Sequence, residues 1–156
     1  MGYQTTFTGQ VAVEPPLNQQ EIAYLRKFAA TRREDREGGP YVADYIGYAV
    51  QGREADRIPE GQPSRWCNWE ATDDGAAIEW NGAEKFYNSP EWMTYLIDHF
   101  LKPGGAAQGQ PGFEHFTFDH TINGVIDAEG EEPGDIWQLL VRDNEVSVDG
   151  PDDFAL

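Results

Sequence analysis

The chain has 156 residues, 28 acids against 11 bases for a net charge of −17, and 13% aromatic residues. That length predicts one domain burying about 70% of its unfolded surface without staples, and the aromatic content excludes a disordered acidic chain. Residues 66–156 hold nineteen acids and three bases, whereas residues 1–65 hold nine acids and eight bases, which argues against nucleic acid or anionic membrane as direct partners and favours a basic protein surface.

Phe7, Val11 and Val13 alternate with polar residues and predict a strand over 5–13, ended by Pro15-Pro16. Asn18 and Glu21 have capping-box spacing, with Leu17 and Ile22 as a hydrophobic staple. Ile22, Leu25, Phe28 and Ala29 then share one face of a helix over about 19–33. Residues 34–64 are rich in Gly, Pro and Arg and read as a mobile, insertion-like segment, with an aromatic strand over 41–50.

Two alternating runs, 66–71 and 76–80, flank an Asp-Gly turn and predict a hairpin. Asn81-Gly82 leads to a short strand over 84–87. Ser89-Pro90 predicts a helix over 90–101, with Ser as cap and Met93, Leu96, Ile97, Phe100 and Leu101 as its buried stripe. Alternation of Phe116, Phe118, His120, Ile122 and Ile126 predicts a long strand, followed by an acidic turn over 127–135. A terminal hairpin, 136–142 with 145–149, closes on Asp143-Asn144, and 150–156 reads as a frayed tail. The order of elements predicts a single α+β domain over 1–156, a mainly antiparallel sheet with two helices packed on one face.

Chemistry-bearing residues are few. Cys67 is the one cysteine, so no intramolecular disulfide can form, and its strand position beside Trp66 suits a small buried hydrophobe better than a nucleophile. His120 lies in an apolar row and reads as a core histidine. His115 and Asp119 form a candidate metal or acid–base pair on one strand face. The turn carboxylates Glu129, Glu131, Glu132 and Asp135 lack calcium-loop spacing and read as a solvated, partner-facing surface. Trp92, Tyr95 and His99 lie on one helical flank about 130° from the main stripe, either as a covered extension of the core or as a ridge that anchors a partner. No phosphate loop, nucleophile elbow, zinc helix or dinucleotide fingerprint occurs, so no catalytic residue, cofactor or metal is expected.

The block from Gly61-Gln62-Pro63 through Trp66–Gly75, Ile78-Glu79-Trp80, Glu84–Tyr87 and Glu91–Asp98, with Met1-Gly2-Tyr3, Asn123–Ile126 and Val141–Asn144, resembles a family of small uncharacterised proteins of bacteria and bacterial viruses. The resemblance covers most of the chain outside 34–60. It implies an intact domain, carried on mobile DNA in some members, and no site residue.

The leading functional expectation is a non-enzymatic acidic module whose carboxylates at Glu129, Glu131, Glu132 and Asp135, with Trp92, Tyr95 and His99, dock on a basic protein surface. An inhibitor of a nucleic-acid-binding protein is one form of it. The alternative is a small enzyme or ligand-binding domain whose pocket lies between the sheet and 34–64, lined by Tyr45, Tyr48, Trp66 and His115. The amino-terminus lacks a basic and apolar signal, and no apolar run spans a bilayer, so a cytoplasmic location is expected.

Overall fold

The alternation read in the first strand sets the middle of the molecule. In the computed structural model, which describes residues 3–34, 38–43 and 57–150, β1 (Thr5–Glu14) turns Phe7, Val11 and Val13 inward and its even-numbered residues outward. It pairs along its whole length with β4 (Thr121–Gly130), from Thr5↔Gly130 to Glu14↔Thr121. On its other side lies β3 (Ala77–Trp80), then β2 (Trp69–Ala71). Beyond β4 come β5 (Ile136–Arg142) and β6 (Glu145–Asp149). The six strands run in the order β2-β3-β1-β4-β5-β6, and every pairing is antiparallel.

The first helix, α1 (Gln19–Ala30), starts with the complete capping box. Asn18 Oδ1 accepts from the Glu21 N–H, and Glu21 Oε1 accepts from the Asn18 N–H, both at 2.8 Å. The helix ends at Ala30, three residues short of the expected end, and beyond it Arg33 is drawn inward. Arg33 is 1% exposed and donates to the carbonyls of Thr31, Pro40 and Val42 while its guanidinium lies 4.0 Å over the Phe28 ring. The second helix, α2 (Ser89–Leu96), continues as a π-helical turn over Ile97–Leu101. Its cap is Asn88 in the left-handed region with no side-chain bond, not Ser89, which is already helical.

Both helices cover the same sheet face, and the α+β architecture follows. One apolar cluster gathers Val11 and Val13 from β1, Leu25 and Phe28 from α1, Met93, Ile97 and Phe100 from the α2 region, and Ile126 and Leu139 from β4 and β5. The 116–120 stretch is not strand. Phe118 takes φ 50° and the chain folds inward there, so β4 begins only at Thr121. The expected strand at 84–87 is also absent, since Lys85 and Asn88 at φ 61° and 60° break the extended path. Between β2 and β3 the Asp-Gly signal builds a wider loop. Gly75 sits at φ +74°, and an added Cβ would meet the Leu17 carbonyl oxygen at 2.5 Å, so glycine is required where this loop packs on the start of α1. The Asp143-Asn144 turn has both residues at positive φ, 48° and 72°, as a two-residue hairpin needs.

Residues 38–43 and 57–65, parts of the segment read as insertion-like, are joined to the core through Tyr41, Ala43 and Gln62. The expected mobility of the rest of 34–64, most of the strand at 41–50, and the tail from 151 lie outside the described residues.

Leu25 and Ile97 are 1% and 0% exposed in the shared core. Leu25→Ala or Ile97→Ala should each lower unfolding free energy by about 2–5 kcal/mol, read from urea denaturation midpoints at constant slope.

Candidate functional site

Among the described residues no element covers the other face of the sheet, and its residues follow from strand register. One row across all six strands reads Glu70, Glu79, Gln10, Val125, Leu140 and Ser147. The next reads Thr8, Asp127, Gln138 and Asp149, and the next Thr6, Glu129 and Ile136. Glu14 and Glu145 add carboxylates toward the far end, where Arg142 is the single base on this face. Glu70 and Glu79 stand directly opposite one another with no ion pair, an arrangement that costs about 0.2–1 kcal/mol relative to a neutral pair.

The acidic turn is shorter than the sequence pattern suggests. Asp127 and Glu129 belong to β4, so Glu129 lies on the bare sheet face rather than on a turn. Glu131 and Asp135 are spent on the amino-terminal residues. Glu131 Oε2 accepts from the Gln4 N–H at 2.8 Å, and Asp135 Oδ2 accepts from the Tyr3 hydroxyl at 2.6 Å. Glu132 is exposed, and its N–H donates to the Tyr3 hydroxyl. The turn therefore fastens β1 to the β4–β5 connection, and two of its four carboxylates point to solvent without a side-chain partner.

Trp92, Tyr95 and His99 do not form a surface ridge. Trp92 is 0% exposed and its indole N–H donates to Ser64 Oγ at 2.7 Å, while Tyr95 is 6% exposed and accepts from Gln62 Nε2 at 3.0 Å. His99 stacks on Tyr95 with ring centroids 3.8 Å apart and shares a 2.7 Å hydrogen bond with the Tyr41 hydroxyl. Burial holds His99 below the usual histidine range and pushes the Tyr95 phenol up to about 12. Residues 41 and 62–64 cross over this flank and cover it, so it is the covered extension of the core and not the partner-anchoring ridge.

His120 does more than fill the core. It and Glu21 are 1% and 0% exposed, with Nε2 3.0 Å from Glu21 Oε2. Nδ1 lies 2.6 Å from the Pro15 carbonyl oxygen. Both ring nitrogens thus face acceptors, which requires the doubly protonated ring. Burial alone would push His120 down, but the bonds to Glu21 and Pro15 outweigh it and raise its pKa. Burial alone would push Glu21 up, but bonds from His120 and the Asn18 and Thr117 N–H groups hold it below the usual range. Thr117 Oγ1 is 3.1 Å from His120 Nε2, a nucleophile–base spacing. Nε2 also faces the Glu21 carboxylate, which favours a proton on that nitrogen and leaves it no free lone pair toward Thr117. Asp119 bonds Thr117, not His115, so the expected His115/Asp119 pair does not form. Cys67 is fully buried, and burial pushes its thiol up to about 12, which removes it as a nucleophile.

Of the concavities among the described residues, two lie against outward strand residues, one beside Glu14 and Thr121 and one where Arg26 meets Gln10 and Glu79, and three lie elsewhere. One of about 470 Å³ lies between α2 and β5–β6, beside Tyr87, Ile136, Trp137 and Val148. A second, about 530 Å³, runs between α1, residues 38–43 and residues 111–116; His115 lines it but Trp66 does not, and Tyr45 and Tyr48 lie outside the described residues. A third, about 460 Å³, separates residues 61–63 from α2. Among the described residues no group of His, Cys, Asp and Glu is arranged to hold a metal ion, and no helix is long and apolar enough to cross a membrane. No protein-family model, curated protein or solved structure matches the chain.

Sequence patterns missed two of these features. The Glu70/Glu79 pair was accessible from the alternation on either side of the Asp-Gly loop. The Glu21–His120 pair joins residues 99 apart, and no local signal carries it.

Stability should plateau between about pH 4.5 and 6.5, the ordinary values of these two groups. Above that window it falls as His120 loses its proton through a raised pKa; below it, stability falls as Glu21 is protonated through a lowered one. Glu21→Gln or His120→Gln should cost about 3–5 kcal/mol at pH 6, and His120→Gln should abolish the alkaline decline. Denaturation at successive pH values checks both statements.

Proposed function

We propose that this protein is a non-enzymatic binding module that docks the uncovered face of its sheet on a basic protein surface. The observation that carries the reading is the outer face itself: seven carboxylates, Glu14, Glu70, Glu79, Asp127, Glu129, Glu145 and Asp149, share it with one arginine. Val125 and Ile136, 44% and 52% exposed, stand among them as apolar contacts. A flat, single-sign field of this kind accelerates encounter with a positive partner and repels nucleic acid. The unrelieved Glu70–Glu79 repulsion supports the reading, because a bound cationic side chain would turn it into an attraction.

The partner class that suits this face is a protein whose own basic surface binds nucleic acid, and occupying that surface would inhibit it. The resemblance to proteins of bacteria and bacterial viruses is consistent with such an inhibitor. A cytoplasmic place of action accompanies the proposal, since that is where such partners work.

The test uses Glu70→Gln/Glu79→Gln/Asp127→Asn/Glu129→Gln beside the parent chain in pull-downs from bacterial lysate at about 50 and 300 mM salt, where the screening length shrinks severalfold. The parent should retain basic proteins at low salt and release them at high salt or on adding DNA. The variant should retain at least tenfold less while melting at the same temperature or higher. Equal retention by the two chains, or retention insensitive to salt, would remove the sheet face as the docking surface.

A further inference from the structure

The groove between residues 61–63 and α2 carries chemistry that the sheet face does not share. Glu91, Tyr95, Asp98 and His99 line one wall, and Gln62 lines the other. On the helix, Glu91 precedes Tyr95 by four residues and Asp98 follows it by three, so the carboxylates flank the tyrosine by about one turn on either side. Among the described residues no base lines the groove. Glu91 is exposed and makes no ion pair, and Asp98 is held only by a solvent-exposed contact with Lys102 at 3.0 Å.

Gln62 supplies the independent observation. It is 7% exposed, and its Nε2 is spent on the Pro40 carbonyl at 2.7 Å and the Tyr95 hydroxyl at 3.0 Å. Those two bonds fix the orientation of the amide at the floor of the groove. Its Oε1 is then left buried with no donor, an omission that calls for a partner. Beside it the half-buried His99 ring, backed by Tyr95 at 3.8 Å, lines the groove, and burial lowers its pKa, which disfavours a positive charge there.

We propose that this groove binds a guanidinium group. A planar guanidinium can lie against the His99 ring, donate to Gln62 Oε1 and turn its remaining N–H groups toward Glu91 or Asp98. An ammonium group has the charge but neither the plane nor the fork. The site is independent of the docking face, and its ligand is either a small guanidinium compound or an arginine side chain of a polypeptide.

Titration calorimetry of the full chain with arginine amide tests the site. Citrulline amide serves as the uncharged isostere, lysine amide as the non-planar cation, and Gly-Arg-Gly as the polypeptide arm. Saturable binding of arginine amide at about millimolar dissociation constant is expected, with citrulline and lysine amides at least fivefold weaker. Tighter binding of the tripeptide identifies a polypeptide source, and equal binding a small molecule. Glu91→Gln/Asp98→Asn, both at surface positions, should weaken arginine amide about tenfold without changing the melting temperature. The sheet-face variant should bind it as the parent does. No saturation by about 10 mM, equal binding of citrulline amide, or undiminished binding by Glu91→Gln/Asp98→Asn would overturn the proposal. So would equal loss in the sheet-face variant, because that would mean attraction by net charge alone.

Discussion

One carboxylate organises the junction on which the rest of the fold depends. Glu21 closes the capping box of α1 with one oxygen and meets His120 and the Thr117 N–H with the other. His120 in turn reaches the Pro15 carbonyl, just beyond the end of β1. The start of α1, the end of β1 and the segment entering β4 are therefore held at one buried point. Asn18 adds a bond from its side-chain amide to the His115 carbonyl. A charge buried this deeply is tolerated because each acceptor has its donor, and removing either partner would leave the other uncompensated. The same saturation makes the cluster structural, since it leaves no lone pair or open position for chemistry.

That junction also explains the one-sidedness of the sheet. With α1 and the 113–120 segment drawn to the inner face, and α2 with its π-helical turn beside them, all the large aromatics of the core collect there. Tyr24, Tyr41, Phe100, Phe113 and Phe116 pack mostly edge to face, with centroids about 5 to 6.5 Å apart. The outer face receives no covering element among the described residues. Its strands need only alternate, so the outward positions are free to carry charge at little cost to the core.

Legibility in the sequence followed the range of the interactions. The α1 cap, the two helices, the β1 alternation and the β5–β6 hairpin rest on residues within a few positions of each other, and each was readable. The strand expected through Phe116 and Phe118 fails because tertiary burial of both rings is reached by a folded path with Phe118 at positive φ, which an alternating pattern cannot distinguish from a strand. Trp92, Tyr95 and His99 showed their common flank correctly. What covers that flank depends on Arg33 anchoring Pro40 and Val42, and on Gln62 bridging to Tyr95, contacts made between segments far apart in the chain. The bare face was implicit in the strand pattern, but its row-by-row acidity needed the register across six strands.

The distribution of bases completes the argument about charge. Arg33 is consumed inside the core, Arg26 by Asp73 and the Ala71 carbonyl, Arg32 by Glu34, and Lys102 by Asp98. All lie on helices, their ends or adjoining loops, with Arg26 at the sheet edge beside Gln10 and Glu79. Seven of the acids stand at outward strand positions against one arginine, where each outward side chain is a strand spacing of about 4.8 Å from its neighbour. Stability alone would favour interspersed signs on such a surface, because like charges in register repel. A fold that places four of its bases against local partners and leaves the outward strand positions mainly anionic gives up a little stability there. It keeps a field that only a cationic partner can neutralise.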